Sequence, residues 1–331
     1  MSLLIPLVLV LTLTFAANKV ATNDDRTIRN AFTWILVLLN ALLFFLGLTL
    51  VILPPEKIPF VQSSSQNMVD IDAMGLILVG IGLWGVICCW TSFRSLLARF
   101  IPLDVDSPVH LAALILAGYL VGNTALALSQ EFLQQLNATE LAVSVLDVVL
   151  QQAAFALLAL SGTGLFVRRD LAGVYQRLGL ARPTLGQLLI GSAVIVFLIL
   201  IQGTIGGIWA LLDPEQAEQL GSINEALLAG FDSIGEWFVL ALASGIGEEM
   251  LFRGALQPVF GLPVTSLLFA VVHIQYGLTP ITLVVFLLGL ILGIVRRYTN
   301  TTVAIFVHFG YNFSLGLLSM LALYLEQLVT P

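Results

Sequence analysis

Residues 233–253 read SIGEWFVLALASGIGEEMLFR, an apolar run that opens on a polar turn and closes on Glu248, Glu249 and Arg253. A helix needs about 20 apolar residues to cross the hydrocarbon core of a bilayer, and this run is of that length. A charge near the bilayer centre costs roughly 2.5–3.5 kcal/mol. The stretch therefore decides the kind of chain it belongs to and asks what its carboxylates are for.

The remainder of the chain repeats the pattern. Of 331 residues, 59% are hydrophobic and only 10% charged, with a mean hydropathy of +1.02. Soluble domains carry about 45–50% apolar and about 25% charged residues, so the polar side chains are too few to clothe a water-facing surface. Disorder is excluded by the same abundance of Leu, Val, Ile and Phe. An all-α, polytopic transmembrane helical bundle is expected, with the lipid bilayer as its solvent.

Ten spans fit the length rule: Leu3 to Ala17, Ala31 to Leu53, Ile71 to Trp90, Val109 to Leu128, Ala142 to Val167, Leu188 to Leu211, Ser233 to Arg253, Val264 to Gly277, Thr279 to Val295 and Thr302 to Leu325. The first and eighth are short, so the count is about ten, within eight to ten. Lys and Arg stay on the cytoplasmic side. Twelve of the thirteen fall in one set of alternate gaps, Lys57 being the exception, which places both termini outside. The opposite gaps carry the acids Glu56, Asp70, Glu131, Glu140, Asp213, Glu215 and Glu218 and the sequon Asn137-Ala-Thr139. A multi-pass protein of a bacterial plasma membrane is the expected setting. No basic patch suits nucleic acid.

The adjacent Cys88 and Cys89 point to different helical faces and read as buried thiols. The segment Arg168 to Gln187 mixes cations with Leu and reads as a helix along the cytoplasmic interface. After it, polar residues concentrate within the spans. Asp147, Gln151 and Gln152 read as interhelical hydrogen-bonding groups, and His110 as an interfacial residue.

Glu249 and Arg253 are at i, i+4 with the acid first, the favoured order for an ion pair, and serve equally well as a packing staple. Successive helical residues diverge by about 100°, which leaves Glu248 on another face without a local cation. His273 lies in the eighth span, and His308 and Asn312 share one side of the tenth. Counted at about 1.5 Å per residue from the cytoplasmic ends, Glu248 is on the order of 10–20 Å deep, His273 about 14 Å, and His308 to Asn312 about 9–15 Å. Three helices thus deliver a carboxylate, two imidazoles and a carboxamide to one level. Gly289 and Gly293 form a small-x-x-x-small step for close helix approach, which by itself identifies no function.

In this order, Glu248-Glu249-x-x-x-Arg253, Phe269-x-x-x-His273 and His308-x-x-x-Asn312 resemble the three motifs of the CPBP family of intramembrane proteases, which includes the CAAX prenyl endopeptidases and the Abi proteins. The resemblance covers roughly Arg168 to Leu325. It implies an N-terminal transmembrane region of unknown role over residues 1–130 and a protease-like domain over 131–331, with catalytic helices about 233–325. It implies an endopeptidase, glutamate-type or metallo-type, acting on a membrane-embedded or lipidated polypeptide, prenylated CAAX termini included. Glu248 would be the catalytic carboxylate, activating water together with His273. His308 and Asn312 would stabilise the oxyanion, and Glu249 and Arg253 would support the seventh helix. A metal-free site is favoured, because the chain has no His-Glu-x-x-His spacing and the ligands are spread over three helices. If a divalent metal such as zinc is present, Glu248, His273 and His308 are its ligands, with water in the fourth position. The alternatives are a noncatalytic membrane regulator or immunity-type partner, and a proton-coupled transporter, for which the inverted repeats are not evident.

Overall fold

The structure, a computed structural model, describes residues 4–53, 71–129, 143–273 and 276–329. Glu56, Lys57, Asp70, Glu131, Glu140 and the Asn137 sequon lie outside the described residues. The helices are α1 (Leu4–Ala21), α2 (Arg26–Ile52), α3 (Ile71–Cys89), α4 (Thr91–Leu97), α5 (Pro108–Ser129), α6 (Val145–Gly162), α7 (Leu171–Arg177) and α8 (Leu185–Leu212). They continue with α9 (Pro214–Leu228), α10 (Ile234–Glu248), a π-helical stretch (Glu249–Leu256), α11 (Gln257–Val271), α12 (Pro280–Tyr298) and α13 (Thr301–Val329).

Among the described residues, nine helices are long and apolar enough to cross a membrane, and the longest runs from Ile234 to Val271. Its 38 residues would extend about 57 Å, against a hydrocarbon core of about 30 Å. The run cannot be one straight rod. It breaks at Gly261 (φ 75°, ψ 173°), two residues before Pro263, in a conformation that L side chains rarely adopt. The seventh and eighth spans of the sequence parse are its two limbs. The second limb ends at Val271, about 15 Å beyond the break at 1.5 Å per residue, so the chain around His273 leaves helical geometry part-way through the bundle. Non-helical backbone at such depth is tolerated where it is buried in protein or lines a cavity. Here Val272, His273 and Tyr276 line one.

Local chemistry starts the helices where they begin. Capping boxes at Ser144 with Asp147, Thr184 with Gln187 and Ser233 with Glu236 satisfy the otherwise orphaned N–H groups of α6, α8 and α10. Asp147 is thus a capping residue and not an interhelical one, since its carboxylate is spent on the Ser144 N–H and hydroxyl. One contiguous apolar core runs from Ala17, Phe32 and Leu36 through Cys88, Leu111 and Ile115 to Phe252, Phe269, Leu292 and Tyr311. Large apolar side chains on the outer faces, Trp34, Leu42, Leu189 and Leu200 among them, are exposed as a lipid-facing surface requires. Cys88 and Cys89 are buried free thiols.

Hydrogen bonds tie the helix ends into two opposite groups. At one end, Arg177 Nη1 donates to the Gly254 carbonyl at 3.0 Å and Thr301 N–H to the Gly179 carbonyl at 2.9 Å. Asn18 Nδ2 there donates to the Ser161 carbonyl at 2.9 Å. At the other end, Val143 N–H donates to the Leu227 carbonyl at 3.1 Å. The Arg168 to Gln187 segment is more deeply docked than an interfacial helix would be. Val174 of α7 and Leu178 just after it pack against Ala159 and Ala255, while Leu171 and Tyr175 remain exposed. His110 accepts the Asp104 N–H on Nδ1 at 2.9 Å and so pins the turn before α5.

Candidate active site

α10 ends on Glu248, and the next eight residues wind as a π-helix, a local form often found at functional sites. Glu248 and Glu249 are both buried, at 7% and 0% exposure. Against the expectation of separate faces and separate partners, the two glutamates meet the same imidazole. His308 Nδ1 lies 2.9 Å from Glu249 Oε1, and its Nε2 lies 4.0 Å from Glu248 Oε2. The physical reason is that the two imidazole nitrogens point in different directions, so one ring inserted between diverging carboxylates addresses each with a different atom.

His273 closes the site from the broken helix. Its Nδ1 lies 2.7 Å from the Phe269 carbonyl, and its Nε2 is 3.8 Å from Glu248 Oε2. A carbonyl only accepts, so Nδ1 donates to it, and Nε2 is the ring atom that faces Glu248. Glu249, held by Arg253, likewise accepts from His308 Nδ1. Both rings therefore aim Nε2 at the same buried oxygen. Glu248 Oε2 makes no hydrogen bond to any of the described residues.

The second oxygen of Glu248 is held by a residue that the motif reading passed over. Gln152 Nε2 of α6 donates to Glu248 Oε1 at 2.9 Å. Its signal in the sequence was a pair of glutamines, Gln151 and Gln152, in an apolar helix; periodicity cannot say which helix such a pair faces. Gly247 permits this contact. A Cβ there would stand 2.5 Å from Gln152 Oε1, 2.6 Å from its carbonyl oxygen and 2.9 Å from its Cα. Gly247→Ala is expected to push α6 from α10 and cost about 1–3 kcal/mol, read as a lower unfolding temperature in detergent. Gly203→Ala in α8, where an added Cβ meets no atom within 4 Å, is the control expected not to lower that temperature.

Arg253 supports the site from below. Its Nε is 3.2 Å from Glu249 Oε2, Nη2 donates to the Gly289 carbonyl at 3.2 Å, and the guanidinium stands 4.2 Å over the Phe269 ring. Four residues on, Gln257 Nε2 donates to the Gly293 carbonyl at 3.0 Å. The glycine step of α12 therefore exposes two carbonyls, one turn apart, to two side chains spaced in the same way. Added Cβ atoms would meet Ser266 Cα at 3.3 Å from Gly289 and Gln257 Oε1 at 2.9 Å from Gly293.

Glu248, His273, His308 and Asn312 line a single cavity of about 460 Å³, within the usual range of ligand pockets. Tyr311, whose hydroxyl donates to Gln202 Oε1, lines it as well. His273 is stacked on Tyr276, with the rings 4° from parallel. As for a metal, four-coordinate zinc with bonds of about 2.0–2.2 Å holds its ligand atoms about 3.3 Å apart. The 3.8 and 4.0 Å spacings about Glu248 are wider, and no group of three or more His, Cys, Asp and Glu among the described residues makes a metal cluster. The side chains as placed do not fit the ion.

A bundle of helices long and apolar enough to cross a membrane thus holds a buried carboxylate faced by two imidazoles. Residues 230–314 match the family model of the type II CAAX prenyl endopeptidases, described as Rce1-like. That match covers about a quarter of the chain and contains all three motifs, so this segment is similar to that family. No curated protein and no solved structure matches the chain.

Proposed function

We propose that this protein is a metal-free endopeptidase that hydrolyses a peptide bond of a membrane-associated polypeptide, with Glu248 and His273 activating the attacking water. The observation that carries this reading is the buried Glu248 Oε2, without a hydrogen-bond partner among the described residues and faced by two imidazole Nε2 atoms. A water about 2.8 Å from both Glu248 Oε2 and His273 Nε2 forms the apex of a triangle on their 3.8 Å separation. Glu248 accepts its proton as the water oxygen attacks the scissile carbonyl. That proton then passes to the amine as the C–N bond breaks, so that peptide and water become an acid and an amine.

The tetrahedral oxyanion is met by the Asn312 amide and by the Nε2 side of the His308 ring, whose Nδ1 is anchored on Glu249. Glu249 and Arg253 position that ring and touch no substrate. Asn312→Ala is expected to lower kcat by about 10²–10³ with little change in KM, the pattern of a donor used in the transition state.

Mass spectrometry of new peptide termini tests the whole reading in membranes expressing wild type or Glu248→Ala at matched levels, with and without a chelator. Termini lost in the mutant and insensitive to the chelator are expected. Identical termini in both samples refute the protease, and chelator sensitivity refutes the metal-free site.

A further inference from the structure

The lining of the cavity does not extend to the end of the bundle that holds the cations. Its lining reaches Val143 and Val148 around the start of α6, Asn224 and Leu228 at the close of α9, and Tyr276 and Ile281 around the start of α12. These all belong to the end tied together by the Val143 to Leu227 hydrogen bond. None of the lining residues comes from the opposite end, where residues 163–184, 254–262 and 296–303 lie.

Charge divides the two ends in the same way. Beyond residue 143, every Lys and Arg of the sequence except the buried Arg253, which is paired with Glu249, belongs to the closed end. The other end presents the exposed carboxylates Asp147, Asp213, Glu215, Glu218, Glu225 and Asp232 without an intervening cation. An acidic surface alone would select nothing. Here it shares one end of the bundle with the lining of a cavity that holds a 7% exposed glutamate with an oxygen lacking a hydrogen-bond partner among the described residues. Gln151, Gln202, Asn224 and Asn312 line that cavity. Carboxamides both donate and accept, which suits the N–H and C=O groups of an unwound peptide backbone.

We infer that the site takes its substrate from the non-cytoplasmic face, as a polypeptide segment unwound at the membrane surface and flanked there by Lys or Arg. The cytoplasmic assignment of the closed end follows from its cations. The exposed carboxylates attract a cationic flank and raise its local concentration, an effect that salt weakens. A substrate made and lipidated in the cytoplasm would meet the closed, basic end.

This inference rests on the protease reading for its substrate but not for its sidedness, and the test separates the two. Glu225→Cys at the acidic end and Arg182→Cys at the opposite end, both exposed, are labelled with a membrane-impermeant maleimide in right-side-out and inverted vesicles. The wild type, with its two buried cysteines, supplies the background. Glu225→Cys labelled right-side-out and Arg182→Cys labelled inverted is the expected result, and the reverse overturns the sidedness whether or not the protein cuts anything.

For the substrate, single-span reporters with Arg or Asp just outside the membrane are compared, counting only cleavage lost in Glu248→Gln. Arg-flanked reporters are expected to be cut about tenfold faster at low salt. That advantage should shrink at high salt, and in the variant carrying Glu215→Gln, Glu218→Gln and Glu225→Gln. Equal cutting of both reporters by wild type overturns the charge selection. Cleavage of neither by wild type overturns the substrate assignment, with the labelling still deciding the side.

Discussion

Glu248→Gln is expected to abolish turnover almost completely, by about 10²–10⁴ in kcat on a substrate identified from its termini. The amide keeps the size of the carboxylate and leaves Gln152 a partner, so the fold should survive. The amide nitrogen, however, has no basic lone pair to take a proton from water. An unchanged unfolding temperature beside lost activity separates chemistry from structure. His273→Ala should be nearly as damaging alone, and the double variant no worse than Glu248→Gln. The 3.8 Å approach of His273 Nε2 to Glu248 Oε2 makes them one water-activating unit, and members of a unit are strongly non-additive. Additive losses would show that the two act at different steps.

The second large effect concerns stability. Arg253 is 1% exposed and Glu249 0%. Arg253→Met leaves a fully buried carboxylate with the His308 ring as its remaining partner, and removing one member of a buried pair costs about 3–5 kcal/mol. A drop of that size in chemical denaturation of the purified protein is expected. Replacing both, Glu249→Met with Arg253→Met, removes the stranded charge and should recover much of the stability. Activity should stay low in the double variant, because His308 Nδ1 has then lost the oxygen 2.9 Å away that fixes its ring. If activity returned together with stability, Glu249 and Arg253 would be a packing staple and nothing more.

Composition and hydropathy determined that this chain is a multi-pass helical bundle, because burial in lipid leaves the backbone no other way to satisfy its polar groups than helices or a closed barrel. Helical spacing put Glu249 with Arg253, and His308 with Asn312, since i, i+4 contacts are local and carried by the chain itself. Counting residues from the cytoplasmic ends placed Glu248, His273 and His308 at one depth, and in the structure they meet.

Tertiary structure decided what local spacing leaves open. Rotation of α6 against α10 brings Gln152 onto Glu248, and only the small Gly247 permits that approach. The packing of α13 against the end of α10 inserts the His308 ring between the two diverging carboxylates, so that each meets a different nitrogen, and the break at Gly261 starts the limb that carries His273 to the same oxygen. Which end of the bundle the cavity lining reaches was likewise absent from the motifs. It depends on how α6, α9 and α12 are arranged around the site, and that arrangement follows from contacts between residues far apart in the chain.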